Sequence, residues 1–131
     1  MQSRTKVALA IVAAFGLGGV IVEGLHAQGK AKPQIYVVAE INVKNADGYM
    51  KEYAPKAQAL IKKSGGKLLA ASSSPSKIEG AAPPPRVAIQ LWDSMDQYKA
   101  YRSSAELKEI RKIGDKYAEF RAYAVEARPP Q

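Results

Sequence analysis

The sequence contains no cysteine and a single histidine, His26, among its 131 residues. Without cysteine the chain forms neither a disulfide nor a thiolate metal site. His26 lies in the segment VIVEGLHAQGK, directly after an apolar run. The rest of the chain offers no imidazole and no thiol, which argues against a transition-metal site and against serine–histidine catalysis. We therefore expect no metal and no other cofactor.

The N-terminal segment has the layout of a secretory leader. Arg4 and Lys6 give a basic start, residues 7–22 are all apolar or glycine, and the small residue Ala27 precedes Gln28. This order predicts a signal peptide over residues 1–27 that is cleaved, and a periplasmic or secreted protein. The apolar run is shorter than the roughly 20 residues that span a bilayer. An uncleaved anchor at residues 7–22 is the alternative, and it would provide the only membrane contact.

The remaining chain is predicted to be one domain over residues 34–127, after a linker at 28–33 and before a tail at 128–131. Alternating apolar residues predict strands at 34–43, 67–72, 86–92 and 120–127. A Ser/Gly/Pro loop fills residues 73–85. The order strand, helix, strand, strand, helix, strand is typical of a ferredoxin-like α+β fold, in which helices cover one face of an antiparallel sheet.

Two helical regions lie between these strands. In the first, a stripe at three- and four-residue steps starts at Tyr49, and Pro55 must begin a new helical stretch or kink this one. In the second, Ser94 and Gln97 have the spacing of a capping box, and Ser103 and Glu106 repeat it. The second region is therefore predicted to be two helices.

Strand periodicity also predicts which side chains face the helices. The apolar alternation from Ile35 to Val43 and the alternation through Val87, Ile89 and Leu91 are assigned to the helix side. The other face would carry Tyr36, Glu40, Gln90 and Trp92. An open sheet face with large aromatic side chains needs a cover, which is a second copy of the chain or a ligand.

Most of the domain resembles a known family. The stretches YVVAEINV, YMKEYAPKAQALIKKSGGKLLA, PPRVAIQLWDSMDQYKAYRSS and AVEA resemble the domain of unknown function 1330 family. The resemblance implies a homodimeric α/β barrel, in which two ferredoxin-like units place their sheets face to face. Related barrel families include cofactor-free oxygenases, haem-handling proteins and proteins without a known activity, so the fold alone does not select a function.

Five residues are candidates for a ligand site at the sheet face: Tyr36, Glu40, Arg86, Gln90 and Trp92. Burial of Glu40 between two sheets would raise its pKa and make it a candidate general base. The alternative is a structural hydrogen bond, or an ion pair with Arg86 or Arg121. Arg86 could bind an anionic ligand, or it could be a solvated strand end.

These candidates support two functions. The first is an exported protein that binds a small molecule at the sheet face or has a structural role. The second is a cofactor-free oxygenase- or isomerase-type enzyme with Glu40 as its base. The net charge of +8 raises the question of nucleic acid, but the lysines are spread along the predicted helices rather than grouped in a stripe, so we expect no nucleic-acid partner.

Overall fold

The computed structural model describes residues 32–130. The predicted signal peptide, the possible anchor at residues 7–22 and most of the linker lie outside these residues. Four strands form one antiparallel sheet in the order β2-β3-β1-β4. They are β1 (Ile35–Val43), β2 (Lys67–Ser72), β3 (Arg86–Trp92) and β4 (Ala118–Glu126). The predicted ferredoxin-like α+β fold is confirmed.

The first helical region is continuous but changes its winding. A short α1 (Ala46–Gly48) leads into a π-helical turn (Tyr49–Tyr53), and α2 (Ala54–Lys63) follows. Asn45 begins the region, since its side chain accepts a hydrogen bond from the amide of Gly48 at 2.9 Å. Pro55 lies in the first turn of α2, where a missing amide hydrogen is tolerated. The prediction that Pro55 begins a new helical stretch is confirmed.

The second helical region comprises α3 (Met95–Arg102) and α4 (Ala105–Gly114). Ser94 caps α3 by accepting from the amide of Gln97, as predicted. The predicted N-cap at Ser103 is wrong, because Ser103 is the C-cap of α3. Its backbone is still helical, and its amide donates hydrogen bonds to the carbonyls of Lys99 and Tyr101. Ser104 is extended instead, and its hydroxyl accepts from the amide of Leu107 at 3.2 Å.

The helices cover one face of the sheet, and the core lies between these two layers. Trp92, Ile35 and Val37 are its most deeply buried large side chains. One cluster gathers these residues with Leu60, Ile61, Tyr101 and Leu107, and a second gathers Ile41, Tyr49, Tyr53, Ala54, Ala57 and Ala118. The apolar alternation of β1 therefore faces the helices, as predicted.

The predicted orientation of β3 is wrong. In the β1–β3 register Ile35 lies opposite Trp92, and Val37 lies opposite Gln90. Residues that are paired across strands share a face, so Gln90 and Trp92 lie under the helices. Val87, Ile89 and Leu91 lie on the open face and are partly buried. Periodicity gives the spacing of a strand's faces but does not say which face is inward when both carry large apolar side chains.

Two kinds of feature are absent from residues 32–130. No helix in that range is long and apolar enough to cross a membrane. No cluster of three or more His, Cys, Asp or Glu side chains within the same range has an arrangement that could hold a metal ion.

Candidate functional site

A cavity of about 70 Å³ lies between the sheet and the helices. Its floor is formed by β1, β3 and β4, and its walls by the π-helical turn and by α2, α3 and α4. We call it the inner cavity. The polar and phenolic residues of its lining are Tyr49, Tyr53, Gln58, Arg86, Gln90, Tyr98, Tyr101, Arg102, Arg111 and Arg121.

The inner cavity is electropositive. Arg86, Arg102 and Arg111 line it, and no Asp or Glu is found among the described residues of its lining. Arg121 also borders it, but the guanidinium of Arg121 pairs with Glu40 on the open face. A lining with several guanidinium groups and no carboxylate of its own favours an anion.

Arg86 is the most unusual of these residues. It is only 7% exposed, although it begins a strand, so the alternative of a solvated strand end is wrong. Its Nη1 donates to the Ser73 hydroxyl at 2.8 Å, and its guanidinium carbon lies 5.6 Å from the centre of the Tyr49 ring. Within the described residues Nε has no hydrogen-bond partner and no carboxylate lies within 4.0 Å of the guanidinium. A buried charge without a counter-charge is unfavourable unless a ligand supplies one.

Four tyrosines supply neutral hydroxyl groups to the inner cavity. Burial raises the pKa of Tyr101 to about 12, and it also raises the pKa of Tyr49, Tyr53 and Tyr98. At neutral pH these phenols are protonated and can donate hydrogen bonds to a bound oxyanion. The π-helical turn brings Tyr49 and Tyr53 to the same side, with ring centres 5.2 Å apart. π-Helical turns occur often at functional sites.

Gln90 presents an amide to the same cavity. Its Oε1 accepts a hydrogen bond from Trp92 Nε1 at 2.9 Å, which leaves the amide NH₂ as the end that can donate to a ligand. Trp92 lies behind this contact, with its ring centre 4.8 Å from that of Tyr101 and 5.4 Å from that of Tyr98. The only tryptophan of the chain is therefore coupled to the lining.

Arg111 is held in place by two contacts. Its guanidinium carbon lies 3.9 Å from the centre of the Phe120 ring, a cation–π distance. Its Nε lies 3.8 Å from an Asp115 carboxylate oxygen. These contacts fix a second positive group in the lining of the inner cavity, with a carboxylate at the edge of ion-pairing range.

Glu40 lies on the other face of the sheet, the open face. Its Oε2 accepts a hydrogen bond from the Tyr123 hydroxyl at 2.9 Å, and its Oε1 lies 3.6 Å from Arg121 Nη1. Within one chain Glu40 therefore makes a hydrogen bond and an ion pair, and the charged partner is Arg121 rather than Arg86. Tyr36 is on the same face and is 37% exposed.

The five candidate residues thus divide between two faces. Arg86 and Gln90 line the inner cavity, with Trp92 packed behind it, whereas Tyr36 and Glu40 lie on the open face. The expected common site is not formed within one chain. Sequence reasoning missed Tyr49, Tyr53, Arg102 and Arg111 as lining residues.

The family model for the domain of unknown function DUF1330 matches residues 34–128. The chain belongs to the DUF1330 family. No curated protein is significantly similar to it in sequence. The resemblance of its strands and helices to this family is therefore confirmed. The family is one of unknown function.

Solved structures share the fold of this DUF1330 chain at low identity. A protein of unknown function, RPA0582 from Rhodopseudomonas palustris, aligns with a TM-score of 0.64 at 15% identity, over 82% of this chain and 94% of that one. SnoaB, a cofactor-independent oxygenase from Streptomyces nogalater, aligns with a TM-score of 0.56 at 14% identity, over 75% and 96%. An EthD-like protein from Ralstonia eutropha aligns with a TM-score of 0.53 at 14% identity, over 73% of this chain and 91% of that one. At these identities the similarities show the fold alone.

Proposed function

We propose that this protein binds a small organic anion in the inner cavity, with Arg86 as the principal partner of the anionic group. The observation that carries the proposal is the burial of Arg86 without a carboxylate partner among the described residues, in a cavity lined by further arginines. Small-molecule sites combine apolar walls with a few convergent polar groups, as this one does. The volume of about 70 Å³ limits the buried part of the ligand to a few non-hydrogen atoms.

The polar groups have separate roles in this proposal. Arg86 supplies charge and a planar pair of donors that fits a carboxylate. Gln90 and the protonated tyrosines supply neutral donors that fix the orientation of the bound oxygens. Arg102 and Arg111 raise the local concentration of anions without contacting them directly.

Titration with acetate, benzoate and inorganic phosphate tests the proposal. Trp92 fluorescence reports binding because its ring packs on two lining tyrosines, and calorimetry provides an independent affinity. Arg86→Gln should weaken binding by at least about ten-fold, the range expected for a charge-assisted hydrogen bond. Arg128→Gln is the control, because it removes the same positive charge at an exposed residue that does not line the cavity. Absence of saturable binding by all three probes, or equal affinity in the Arg86 variant, would overturn the proposal.

Self-association through the open face is part of the same proposal. This face carries Tyr36, Tyr123 and Val125, which are between 37% and 53% exposed, beside the partly buried Val38, Ile89 and Leu91. A second copy that placed the same face against it would bury this apolar surface. Light scattering at micromolar concentration tests the dimer, and Ile89→Lys should shift the population toward the monomer. A wild-type monomer under these conditions would refute it.

We further propose that residues 1–27 are cleaved on export and that the protein acts outside the cytoplasm. The support is the basic start, apolar run and small residue before Gln28 in the sequence. Mass spectrometry of the protein recovered from its source cells tests this directly. We expect the mass of a chain that starts at Gln28. A mass that includes residues 1–27 would favour the anchor at residues 7–22 instead.

A cofactor-free oxygenase- or isomerase-type reaction, with Glu40 as base, is a second candidate. It is favoured by the fold that this chain shares with SnoaB. Glu40 could reach a substrate only on the open face, so paired variants separate the two functions. Loss of the ligand-induced Trp92 fluorescence change in Glu40→Gln but not in Arg86→Gln would support an open-face site with Glu40. The reverse pattern would support the inner cavity.

A further inference from the structure

A second cavity, of about 140 Å³, lies at one end of the sheet and shares two residues with the first. We call it the outer cavity. It is enclosed by the end of β1, the start of the first helical region and the two ends of the loop between β2 and β3. Its lining consists of Val43, Ala46, Tyr49, Met50, Ser73, Pro85 and Arg86.

Arg86 and Tyr49 line both cavities and therefore lie between them. Ser73, which accepts the hydrogen bond from Arg86 Nη1, belongs to the outer cavity. The guanidinium is thus directed toward the outer cavity as well as bordering the inner one. An anionic group that binds Arg86 in the inner cavity can therefore have the rest of its molecule in the outer cavity.

The rest of the outer lining is apolar. Val43, Ala46, Met50 and Pro85 form most of its wall, and Arg86 is its only charged residue among those described. Met50 belongs to the apolar stripe that starts the first helical region, yet it is 44% exposed. An exposed methionine beside a buried arginine is a suitable surface for a ligand with one charged end and an apolar body, because a thioether side chain adapts to varied shapes.

We infer that the ligand is a monocarboxylate with a short apolar body, whose carboxylate binds Arg86 and whose apolar part lies in the outer cavity against Met50. This inference rests on the proposed function, since it needs an anion at Arg86. It adds the ligand class and a second subsite. Burial of each additional methylene should tighten binding by about four-fold until the outer cavity is filled.

A homologous series of ligands tests the subsite. Acetate, butyrate and hexanoate are titrated into the full chain by calorimetry at constant pH and ionic strength. Affinity should rise from acetate to hexanoate. Met50→Ser should lower the affinity for hexanoate and leave that for acetate unchanged, because acetate has no apolar body to contact residue 50. Met95→Ser is the matched control, since Met95 is similarly exposed but lines neither cavity.

Methyl labelling of methionine gives a readout that needs no substitution. The chain has three methionines, so the ¹³C-methyl signals of Met50 and Met95 are readily assigned. Hexanoate should shift the Met50 signal and leave the Met95 signal in place, and acetate should shift neither.

The outcomes distinguish the two proposals. Equal affinities for acetate and hexanoate, both lost in Arg86→Gln, would overturn the outer subsite and leave anion binding intact. An unmoved Met50 signal at saturating hexanoate would do the same. No binding by any of the three carboxylates, or binding that Arg86→Gln leaves unchanged, would overturn both.

Discussion

Trp92 and Gln90 lie two residues apart on β3, and the indole Nε1 donates a hydrogen bond to the amide Oε1 at 2.9 Å. Both side chains are under the helices, where Trp92 is 0% exposed. The contact satisfies the indole N–H in a region that water does not reach, and it also orients the Gln90 amide at the inner cavity. Core packing and the candidate site are thereby joined through one hydrogen bond.

Replacing Gln90 with leucine should destabilise the protein by about 1–3 kcal/mol, because the buried Trp92 N–H then has no acceptor. Urea unfolding measures the change, and Trp92 emission should alter in the folded state. Gln34→Leu is the control, since the Gln34 side chain is exposed and its hydrogen bond to Asp93 is long at 3.4 Å. Equal stability of the two variants would show that the indole has another partner.

Gly66→Ala should destabilise the fold by about 1–3 kcal/mol through overpacking. A Cβ at this position would lie 2.5 Å from the Trp92 ring, which is itself enclosed by other core residues. Gly80→Ala is the comparison, because a Cβ there has no neighbour within 4 Å and meets only the cost of a positive φ of 81°. Thermal unfolding of both variants gives the difference, and a larger loss at Gly80 would contradict the close approach at Gly66.

Ser104→Ala should cost about 1 kcal/mol, because the hydroxyl of Ser104 caps α4 at the amide of Leu107. Ser103→Ala should be close to neutral, since no side-chain hydrogen bond of Ser103 is found within residues 32–130 and its amide contacts are unaffected. The two variants differ by one position, so unfolding curves of the pair locate the cap. A larger loss of stability in Ser103→Ala would show that Ser103 is the cap, as the Ser103–Glu106 spacing predicts.

The buried tyrosines should make the protein sensitive to alkaline pH. Burial raises the pKa of Tyr101 from 10.0 to about 12, so the folded state holds a proton that the unfolded chain releases. This stabilisation is fully present below pH 10 and is lost as the pH rises to about 12. Its size is on the order of 2 kcal/mol.

Unfolding free energies measured at pH 8, 10 and 11 should therefore fall above pH 10. Tyr101→Phe should reduce the slope of that fall, because phenylalanine has no proton to release. An identical slope in wild type and variant would show that Tyr101 ionises as readily in the fold as in the unfolded chain.

The sequence predicted the order of elements and the extent of β2 and β3, because strand and helix periods are local properties. It also predicted the helix cap at Ser94, where no second serine is adjacent. It did not distinguish the two faces of β3, where Val87, Ile89 and Leu91 alternate with Ala88, Gln90 and Trp92. That choice depends on pairing with β1, a contact between distant parts of the chain. Since Arg86 belongs to the same set as Gln90, the location of the candidate site depended on the same choice.

The open-face side of β3 carries only Val87, Ile89 and Leu91, whereas the helix side includes Arg86 and Gln90, and this has a consequence for folding. A slip of one residue against β1 would exchange Trp92 and Gln90 for Leu91 and Ile89 on the helix side, so that only apolar β3 side chains would face the helices. Hydrophobicity alone therefore does not specify the register of this central strand. The polar and steric contacts specify it: the indole N–H needs the Gln90 oxygen, and the space beside Gly66 fits the Trp92 ring. The residues that build the candidate site also select the correct pairing among two that the hydrophobic pattern permits.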